Sequence, residues 1–325
     1  MNNARSSVSN MRSLEPLVSV CVPVYNHEKF VEECLRSIIS QDYSNIELIV
    51  INDGSTDASD EVVKGLVAIC EERFVRFKYV NRHNSGLCKT LNEAIDWSRG
   101  EFFSAVASDD AWYQNKISSQ VSIFYELDES FAAVSSELQQ IDGCGNILGY
   151  VNKPEHSGLG FDFEDVIFGR SRIPAPAAII KMSALRETGG YNEASIIEDL
   201  YMWLNLTNRG YKIFLSPQVL AKYRVHGENT HTKIKLMHQH TAALLETFSS
   251  NDAVKTKALK INLDRTFAAS TVFNKVYAMQ ILLSPGFRIF RSSMISPMIF
   301  LITPKRYIPY VQMIGRRVKK FFGRW

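Results

Sequence analysis

Two adjacent carboxylates, Asp109 and Asp110, follow an apolar run at residues 102–107. Hard divalent cations prefer oxygen ligands and keep open positions for phosphate, so carboxylates at the end of a buried strand can hold a metal against a diphosphate. This chemistry predicts a nucleotide-sugar site. An alternative is that one aspartate only caps a helix beginning near Gln114. Position alone favours neither interpretation, and the neighbouring motifs must decide.

The elements that position these acids are typical of an α/β protein. From residue 17 onward, short β-rich apolar runs alternate with segments of helical periodicity, as expected for a mostly parallel sheet with helices on both faces. Strands are predicted at residues 17–24, 46–51, 75–80 and 101–107. Polar residues gather after these strands, at the edge where open α/β sheets bind ligands.

After the aspartate pair the pattern predicts a mixed sheet. A helix is predicted near 115–127, strands near 132–141, 147–151 and 177–181, another helix around 197–204, and two closing strands at 211–215 and 219–225. We divide the chain into a disordered segment at 1–16, a main domain at 17–230, a helical extension at 231–284 and a tail at 285–325. Four prolines within 285–309 exclude one long helix in the tail.

Composition indicates a globular protein, with 325 residues of which 46% are hydrophobic. Five scattered cysteines form no zinc or disulfide pattern, which favours a reducing cytoplasm. No signal peptide and no apolar stretch of about 20 residues is evident, so we expect neither secretion by that route nor a transmembrane helix.

Charge is segregated along the chain. Residues 265–325 contain eleven Lys or Arg and no acid, interleaved with aromatic and aliphatic residues. Such a segment suits an anionic lipid surface, where each cation contributes about 1 kcal/mol. We therefore expect 285–325 to associate with a membrane rather than with nucleic acid. The alternative is a basic pair of helices packed on the main domain.

Five segments carry the strongest family signal, read together and in order. They are VSVCVPVYN at 18–26, IVINDGSTD at 49–57, SDD at 108–110, GGYNE at 189–193 followed by Glu198-Asp199, and YRVH at 223–226. In order and spacing they resemble family 2 glycosyltransferases of the GT-A fold, over about residues 17–230. The resemblance implies a GT-A-type sheet, mostly parallel and flanked by helices, and an enzyme that transfers sugar from a nucleotide diphosphate.

The resemblance assigns the nucleotide-sugar site to Pro23, Tyr25, Asp53, Asn84 and Gly86. Tyr25 can stack on a pyrimidine and Asp53 can accept a hydrogen bond from its ring N–H, which points to UDP. Alternatively, Pro23 only ends a strand and Asp53 only caps the next helix.

Relatives carry an arginine in the donor-side loop, where Lys89 is taken as the nearest cation of this chain. Trp112, just after the aspartate pair, has two equal interpretations. It either shelters the donor sugar or packs under the loop.

By the same resemblance, Asp109 and Asp110 divide ribose and metal binding, with Asp110 favoured as the ligand of Mn²⁺ or Mg²⁺. His226 is a further candidate ligand, since imidazole binds Mn²⁺ or donates to phosphate. Ala107 and Ser108 stand where the family often has another acid. We therefore expect metal and nucleotide to bind together.

Asp199 is the candidate general base for the acceptor hydroxyl. It lies in the first turn of a predicted helix, where the macrodipole favours its ionised form and the neighbouring Glu198 opposes it. Such an acid often only stabilises its helix, but its place after the GGYNE segment favours catalysis.

Together these features predict an inverting glycosyltransferase that uses a UDP-sugar. The expected acceptor is a lipid-linked oligosaccharide of bacterial surface polysaccharide synthesis (O-antigen, capsule or exopolysaccharide), at the inner face of the cell membrane. One alternative is a nucleotidyltransferase, although residues 23–27 lack the Gly-rich basic loop that such enzymes use. Another is a non-catalytic sugar-nucleotide-binding scaffold, which would need no base at Asp199.

Overall fold

The computed structural model of the protein describes residues 15–150, 158–170, 172–227, 233–283, 297, 298 and 301. The predicted segment 1–16 and tail 285–325 lie almost entirely outside these residues. The described residues fall into two compact units, divided after His226.

A parallel sheet between helices forms the first half of the first unit. Its strands are β1 (Val18–Val24), β2 (Ile46–Asp53), β3 (Arg76–Arg82) and β4 (Phe102–Ala105), in the order β3-β2-β1-β4. The helices are α1 (Val31–Ile39), α2 (Ser59–Lys64), α3 (Val67–Arg73) and α4 (Leu87–Trp97). Every residue of β2 is buried, as expected of a strand covered on both faces. All four strands lie within two residues of their predicted bounds.

The second half makes the sheet mixed, as predicted. The further strands are β5 (Ala111–Trp112), β6 (Phe131–Ile141), β7 (Ile147–Tyr150), β8 (Leu159–Phe161), β9 (Ile179–Lys181) and β10 (Lys212–Arg224). The helices are α5 (Lys116–Glu126), α6 (Phe163–Ile167), α7 (Met182–Glu187) and α8 (Glu198–Asn208). Beyond β4 the sheet continues as β9-β6-β10-β5, and β9 is antiparallel to both β4 and β6.

The two faces of β1 pack against different sets of helices. Val18, Val20, Val22 and Val24 share one core with buried side chains of α1, α2, α3 and α5. Helix α4 also contacts β1 and β2, and Cys21, which is not in that core, carries a thiol whose pKa is raised by burial and by Glu93 of α4. Alternate residues of the strand therefore face different helices.

A single strand, β10, replaces the two predicted closing strands. Its register against β6 shifts between Ser216 and Val219 and again between Val219 and Ala221. Pro217 stands at the first shift, where a bulge accommodates a residue that has no backbone N–H to donate. The apolar pattern breaks at this bulge, which explains why the sequence predicts two strands.

The second unit is helical where the structure describes it, which confirms the C-terminal helical extension. Its helices are α9 (Ile234–Phe248), α10 (Asp252–Phe273) and α11 (Lys275–Leu282). The side chain of Asn251 caps α10 by accepting from the Val254 N–H at 3.0 Å. Phe267, Ala278 and Ile281 form a small buried core. Within the described residues, no helix has the length and apolar character that crossing a membrane requires.

Candidate active site

The loops after β1 and β2 are held together by hydrogen bonds. Asn26, whose φ is 55°, accepts from the Thr56 N–H at 2.8 Å, and its own N–H donates to Ser55 Oγ at 3.0 Å. Asparagine tolerates this left-handed conformation better than most residues. Tyr25 lies in this turn, directly after the end of β1, and is 48% exposed. Pro23 lies within β1 opposite Ile51, so the strand does not end at the proline.

Asp53, at the end of β2, organises the donor-side loop. Its carboxylate accepts the N–H groups of Ser85 at 2.8 Å and Gly86 at 2.9 Å, and it pairs with Arg82. The next helix, α2, begins after Ala58 and receives no side-chain cap. The interpretation of Asp53 as a helix cap is therefore wrong.

Gly54 lets this loop approach the strand end closely. Its φ is 75°, and a Cβ there would lie 2.5 Å from the backbone nitrogen of Asn84. Asn84 itself is exposed at the loop. A larger residue at 54 would separate the two segments that the resemblance assigns to nucleotide binding.

Arg82 is a cation that the sequence analysis missed when it took Lys89 as the nearest one. Its guanidinium donates to Glu93 Oε2 at 3.0 Å and to Thr90 Oγ1 at 2.8 Å, besides pairing with Asp53. The register of the parallel strands places Arg82 directly opposite Asp53. The sequence offers one indication of this pairing, which is that Asp53 and Arg82 are the last residues of adjacent strands.

Asp109 lies in a turn after β4 beside two histidines. Its Oδ2 is 2.9 Å from His226 Nε2 and 3.9 Å from His27 Nε2. One possible ligand atom from each of the three residues lies within 4.8 Å of the others. His27, which sequence analysis missed, follows β1 and is brought there by the sheet, with its Nδ1 2.8 Å from Ser108 Oγ.

Asp110 points in a different direction and is buried. Its Oδ1 accepts the backbone N–H of Arg224 at 2.8 Å. Burial, and next the Asp109 carboxylate, raise the pKa of Asp110 well above its usual range. Neither aspartate caps the following helix, because β5 comes first and α5 begins after Asn115 with no side-chain cap. Asp109, and not the Asp110 that the sequence analysis preferred as metal ligand, is the aspartate that lies beside the two histidines.

Glu198 and Asp199 begin α8, as predicted. Burial, and then the Asp199 carboxylate, raise the pKa of Glu198 to about 8. Burial also raises the pKa of Asp199, against the opposing effects of the Leu200 N–H, which donates to its Oδ1 at 2.6 Å, and of the Arg172 charge. One carboxyl of the pair can thus carry a proton near neutral pH while the other stays ionised, and an ionised carboxylate with a raised pKa is what a general base requires.

The GGYNE segment is anchored to α4, the helix that begins directly after Gly86. The Asn92 side chain accepts the Tyr191 N–H at 2.8 Å and donates to the Tyr191 carbonyl at 2.9 Å. Gly190 has φ 84°, and a Cβ there would lie 2.7 Å from Asn92 Oδ1. This link between the donor-side helix and the segment preceding Asp199 was not predicted.

Tyr223 links the two acidic groups electrostatically. Burial raises the pKa of its hydroxyl to about 12, and the carboxylates of Asp110, Asp109 and Asp199 add to this effect, while Arg172 opposes it. Coulombic effects of this kind weaken with distance. The charges of both acidic groups therefore act on this one side chain of β10.

Trp112 packs under the loop, which settles the choice between its two interpretations. It is 4% exposed, its Nε1 donates to the Pro176 carbonyl at 2.8 Å, and the ammonium of Lys116 lies 4.0 Å from its ring centre. A side chain so enclosed does not shelter a sugar.

Comparison with known proteins shows the family of the chain. The protein-family model described as Glycosyl transferase family 2 matches residues 19–157 of the chain. An uncharacterized glycosyltransferase of Rickettsia typhi is 30% identical over 232 residues, covering 70% of each chain. The chain belongs to glycosyltransferase family 2. Three longer rickettsial relatives of this glycosyltransferase are 28% to 31% identical, and the matched region spans only 38% to 39% of their length.

Solved structures confirm the GT-A fold of this family 2 glycosyltransferase. S. aureus TarS, crystallised with UDP-GlcNAc, has a TM-score of 0.61 at 19% identity, covering 89% of this chain and 82% of TarS. The mannosyltransferase PcManGT of Pyrobaculum calidifontis, in complex with GDP-Man and Mn²⁺, has a TM-score of 0.58 at 19% identity, covering 89% and 86%.

The residues around Asp109 fit a divalent cation. They offer one carboxylate oxygen and imidazole nitrogens, which are ordinary ligands of Mn²⁺ and related ions. Asp109 is 7% exposed, so a charge there is poorly compensated by water and gains from a cation.

Proposed function

We propose that this glycosyltransferase transfers a sugar from a UDP-sugar to a glycan hydroxyl with inversion at the anomeric carbon. The observation that carries the proposal is a pair of acidic groups held by neighbouring parts of the fold. Asp109 Oδ2 lies 2.9 Å from His226 Nε2, and Asp199 stands in the first turn of α8, after the segment that Asn92 anchors to the donor-side helix. Burial raises the pKa of Tyr223, and the charges of both groups raise it further. One group suits the departing diphosphate and the other suits the incoming hydroxyl. A site for direct displacement needs both.

On the donor side, the uridine would lie between Tyr25 and Asp53. The exposed ring of Tyr25 can stack on the base, and the Asp53 carboxylate, positioned by Arg82 and two backbone N–H groups, can accept the ring N–H. Asn84 and Gly86 would line the adjacent loop. The complex of TarS with UDP-GlcNAc supports this class of donor.

Asp109 and His226 would hold Mn²⁺ or Mg²⁺. The cation, when bound, neutralises charge on the departing diphosphate. Asp110 would stabilise the turn that carries Asp109 by accepting the Arg224 N–H. A ligand role for Asp110 is the alternative. The complex of PcManGT with Mn²⁺ supports a divalent ion at a site of this fold.

On the acceptor side, Asp199 would take the hydroxyl proton. The hydroxyl oxygen then bonds to the anomeric carbon while the carbon–oxygen bond to the diphosphate breaks and UDP leaves with the electron pair. The raised pKa of Asp199 makes it a stronger base than an ordinary aspartate. No covalent enzyme intermediate is required.

The acceptor we propose is a lipid-linked oligosaccharide of bacterial surface polysaccharide synthesis, reached at the inner face of the cell membrane. The support is the basic, aromatic-rich composition of residues 285–325. Deleting residues 286–325 should abolish binding to vesicles containing anionic lipid. Unchanged binding would remove the membrane part of the proposal.

The central experiment measures UDP release from UDP-sugars in the presence of lipid-linked acceptors. Asp199→Asn should lower transfer by a factor of about 100 or more while donor binding, followed by thermal stabilisation, stays unchanged. Asp96→Asn is the matched control, because Asp96 is exposed on α4. Full transfer activity in Asp199→Asn would refute the assignment of the base.

A further inference from the structure

The strongest unassigned feature is the imidazole of His27. His27 follows β1 and His226 follows β10, yet His27 Nε2 approaches the same Asp109 oxygen at 3.9 Å, where His226 Nε2 lies at 2.9 Å. The two imidazole planes are perpendicular, with ring centres 6.0 Å apart. Two nitrogens thus face one carboxylate oxygen from different directions.

The separations suit a shared ion. Donor atoms that are each about 2.1 Å from one cation lie about 3 Å apart at adjacent octahedral positions. The His226–Asp109 pair has this spacing, and His27 needs to close by about 1 Å. We propose that His27 is a third protein ligand, so that His27, Asp109 and His226 form a site for a first-row transition-metal dication.

The other nitrogen of His27 has a fixed partner. Its Nδ1 lies 2.8 Å from the hydroxyl oxygen of Ser108, which is fully buried. When Nδ1 carries the proton and Ser108 Oγ accepts it, Nε2 presents its lone pair to Asp109. A hydrogen bond of this kind orients metal-binding histidines and selects their tautomer. Ser108 thus supports the site although it carries no charge.

The donor set determines which ions bind. Imidazole nitrogen suits Mn²⁺, Co²⁺ and Zn²⁺, whereas Mg²⁺ prefers an all-oxygen shell and gives up its water reluctantly. Three protein ligands also hold an ion without help from phosphate. The site therefore binds Mn²⁺-type ions in preference to Mg²⁺ and before nucleotide, in contrast to the joint binding that the missing upstream acid predicted.

This inference deepens the proposed function, since the ion is the one that would face the diphosphate, and its test uses no substrate. The full chain is freed of metal and titrated with Mn²⁺ in the absence of nucleotide, with free Mn²⁺ followed by electron paramagnetic resonance. We expect one bound Mn²⁺ per chain that a tenfold excess of Mg²⁺ does not displace. Binding only after UDP is added, or displacement by equal Mg²⁺, would overturn the proposal.

Variants separate His27 from the rest of the site. His27→Ala should weaken Mn²⁺ binding about tenfold or more, and Ser108→Ala should weaken it less. His240→Ala, a change on α9 in the second unit, should bind as the wild type does. Wild-type affinity in His27→Ala would refute the assignment.

Two further measurements keep the outcomes distinct. His27→Asn loaded with Co²⁺ should show a changed visible spectrum while circular dichroism confirms the native fold, so loss of folding cannot imitate loss of a ligand. If His27 proves to bind Mn²⁺ but no UDP-sugar binds, the proposed function fails and this inference stands. If transfer occurs and His27→Ala binds Mn²⁺ normally, only this inference fails.

Discussion

The backbone N–H of Arg224 donates a hydrogen bond to the Asp110 carboxylate at 2.8 Å. The side chain of the same arginine, which is 2% exposed, donates from Nε to the Asp109 carbonyl at 2.8 Å and pairs with Glu33 at 2.5 Å. The strand β10 thereby fixes the turn that carries both aspartates. Asp110 is engaged with the fold, and Asp109 is turned toward His226.

Because Asp110 bonds to the backbone of β10 and Asp109 faces His226, we expect two similar substitutions to affect Mn²⁺ binding to different extents. Asp110→Asn keeps an oxygen that can accept the Arg224 N–H, so Mn²⁺ affinity should change less than threefold. Asp109→Asn removes the charged ligand and should weaken Mn²⁺ binding at least tenfold. Isothermal titration with Mn²⁺ measures both. The reverse order of effects would show that Asp110 is the ligand.

The Glu198–Asp199 pair predicts a pH dependence of folding stability. The pKa of Glu198 rises from 4.5 to about 8 on folding, so between these values the folded chain holds a proton that the unfolded chain releases. Stability should therefore fall as pH rises from 4.5 to about 8. Glu198→Gln should remove this dependence on pH. Above pH 8 its free energy of unfolding should rise relative to that of the wild type by an amount on the order of 2 kcal/mol, because Glu198 and Asp199 share the effect of burial on their pKa values.

Urea unfolding of the wild type and of Glu198→Gln at pH 5, 7 and 9 tests this expectation. The two proteins should differ little at pH 5 and most at pH 9. Glu193→Gln is the control, since Glu193 is exposed in the same segment. Parallel slopes for all three proteins would contradict a raised pKa at the pair.

The sequence predicts much of the fold because β1 and β2 are short, mostly apolar runs rich in β-branched residues, and each is followed by a polar turn. It also singles out Asp109 and Asp199, whose neighbours in the chain form recognisable segments. The contacts that complete the site join distant parts of the chain. Asn92 meets Tyr191 across 99 residues, and no local pattern pairs them.

Adjacent residues with the same chemistry pose a different difficulty. Asp109 and Asp110 are equivalent in sequence, and only the turn closed by the Asp110 N–H to the Ala107 carbonyl at 3.0 Å, together with the return of β10, sets their directions. Arg82 was missed for a related reason. Its pairing with Asp53 depends on strand register, and the pattern of a strand buried on both faces, such as β2, does not alternate in a way that reveals this register.

Arg82 supplies a prediction about donor binding. Its guanidinium contacts Asp53, Glu93 and Thr90 at once, a geometry that a lysine ammonium does not reproduce. Arg82→Lys should weaken UDP binding about tenfold, because Asp53 loses its orientation. Arg36→Lys, at an exposed pair with Glu32, is the matched control. Equal UDP affinity in both variants, measured by calorimetry, would argue against a role for Arg82.

The link between Asn92 and Tyr191 predicts a variant that binds donor but transfers poorly. Asn92→Ala leaves the Tyr191 N–H and carbonyl without these partners, which should cost about 1–3 kcal/mol of stability and loosen the segment before Asp199. We expect kcat to fall about tenfold with little change in UDP affinity, since a displaced base slows only the transfer step. Steady-state kinetics beside UDP titration separate the two effects, with the exposed Asp96→Ala on the same helix as control. Loss of UDP affinity with unchanged kcat would instead place the influence of Asn92 on the donor-side loop that ends at Gly86, because α4 adjoins both segments.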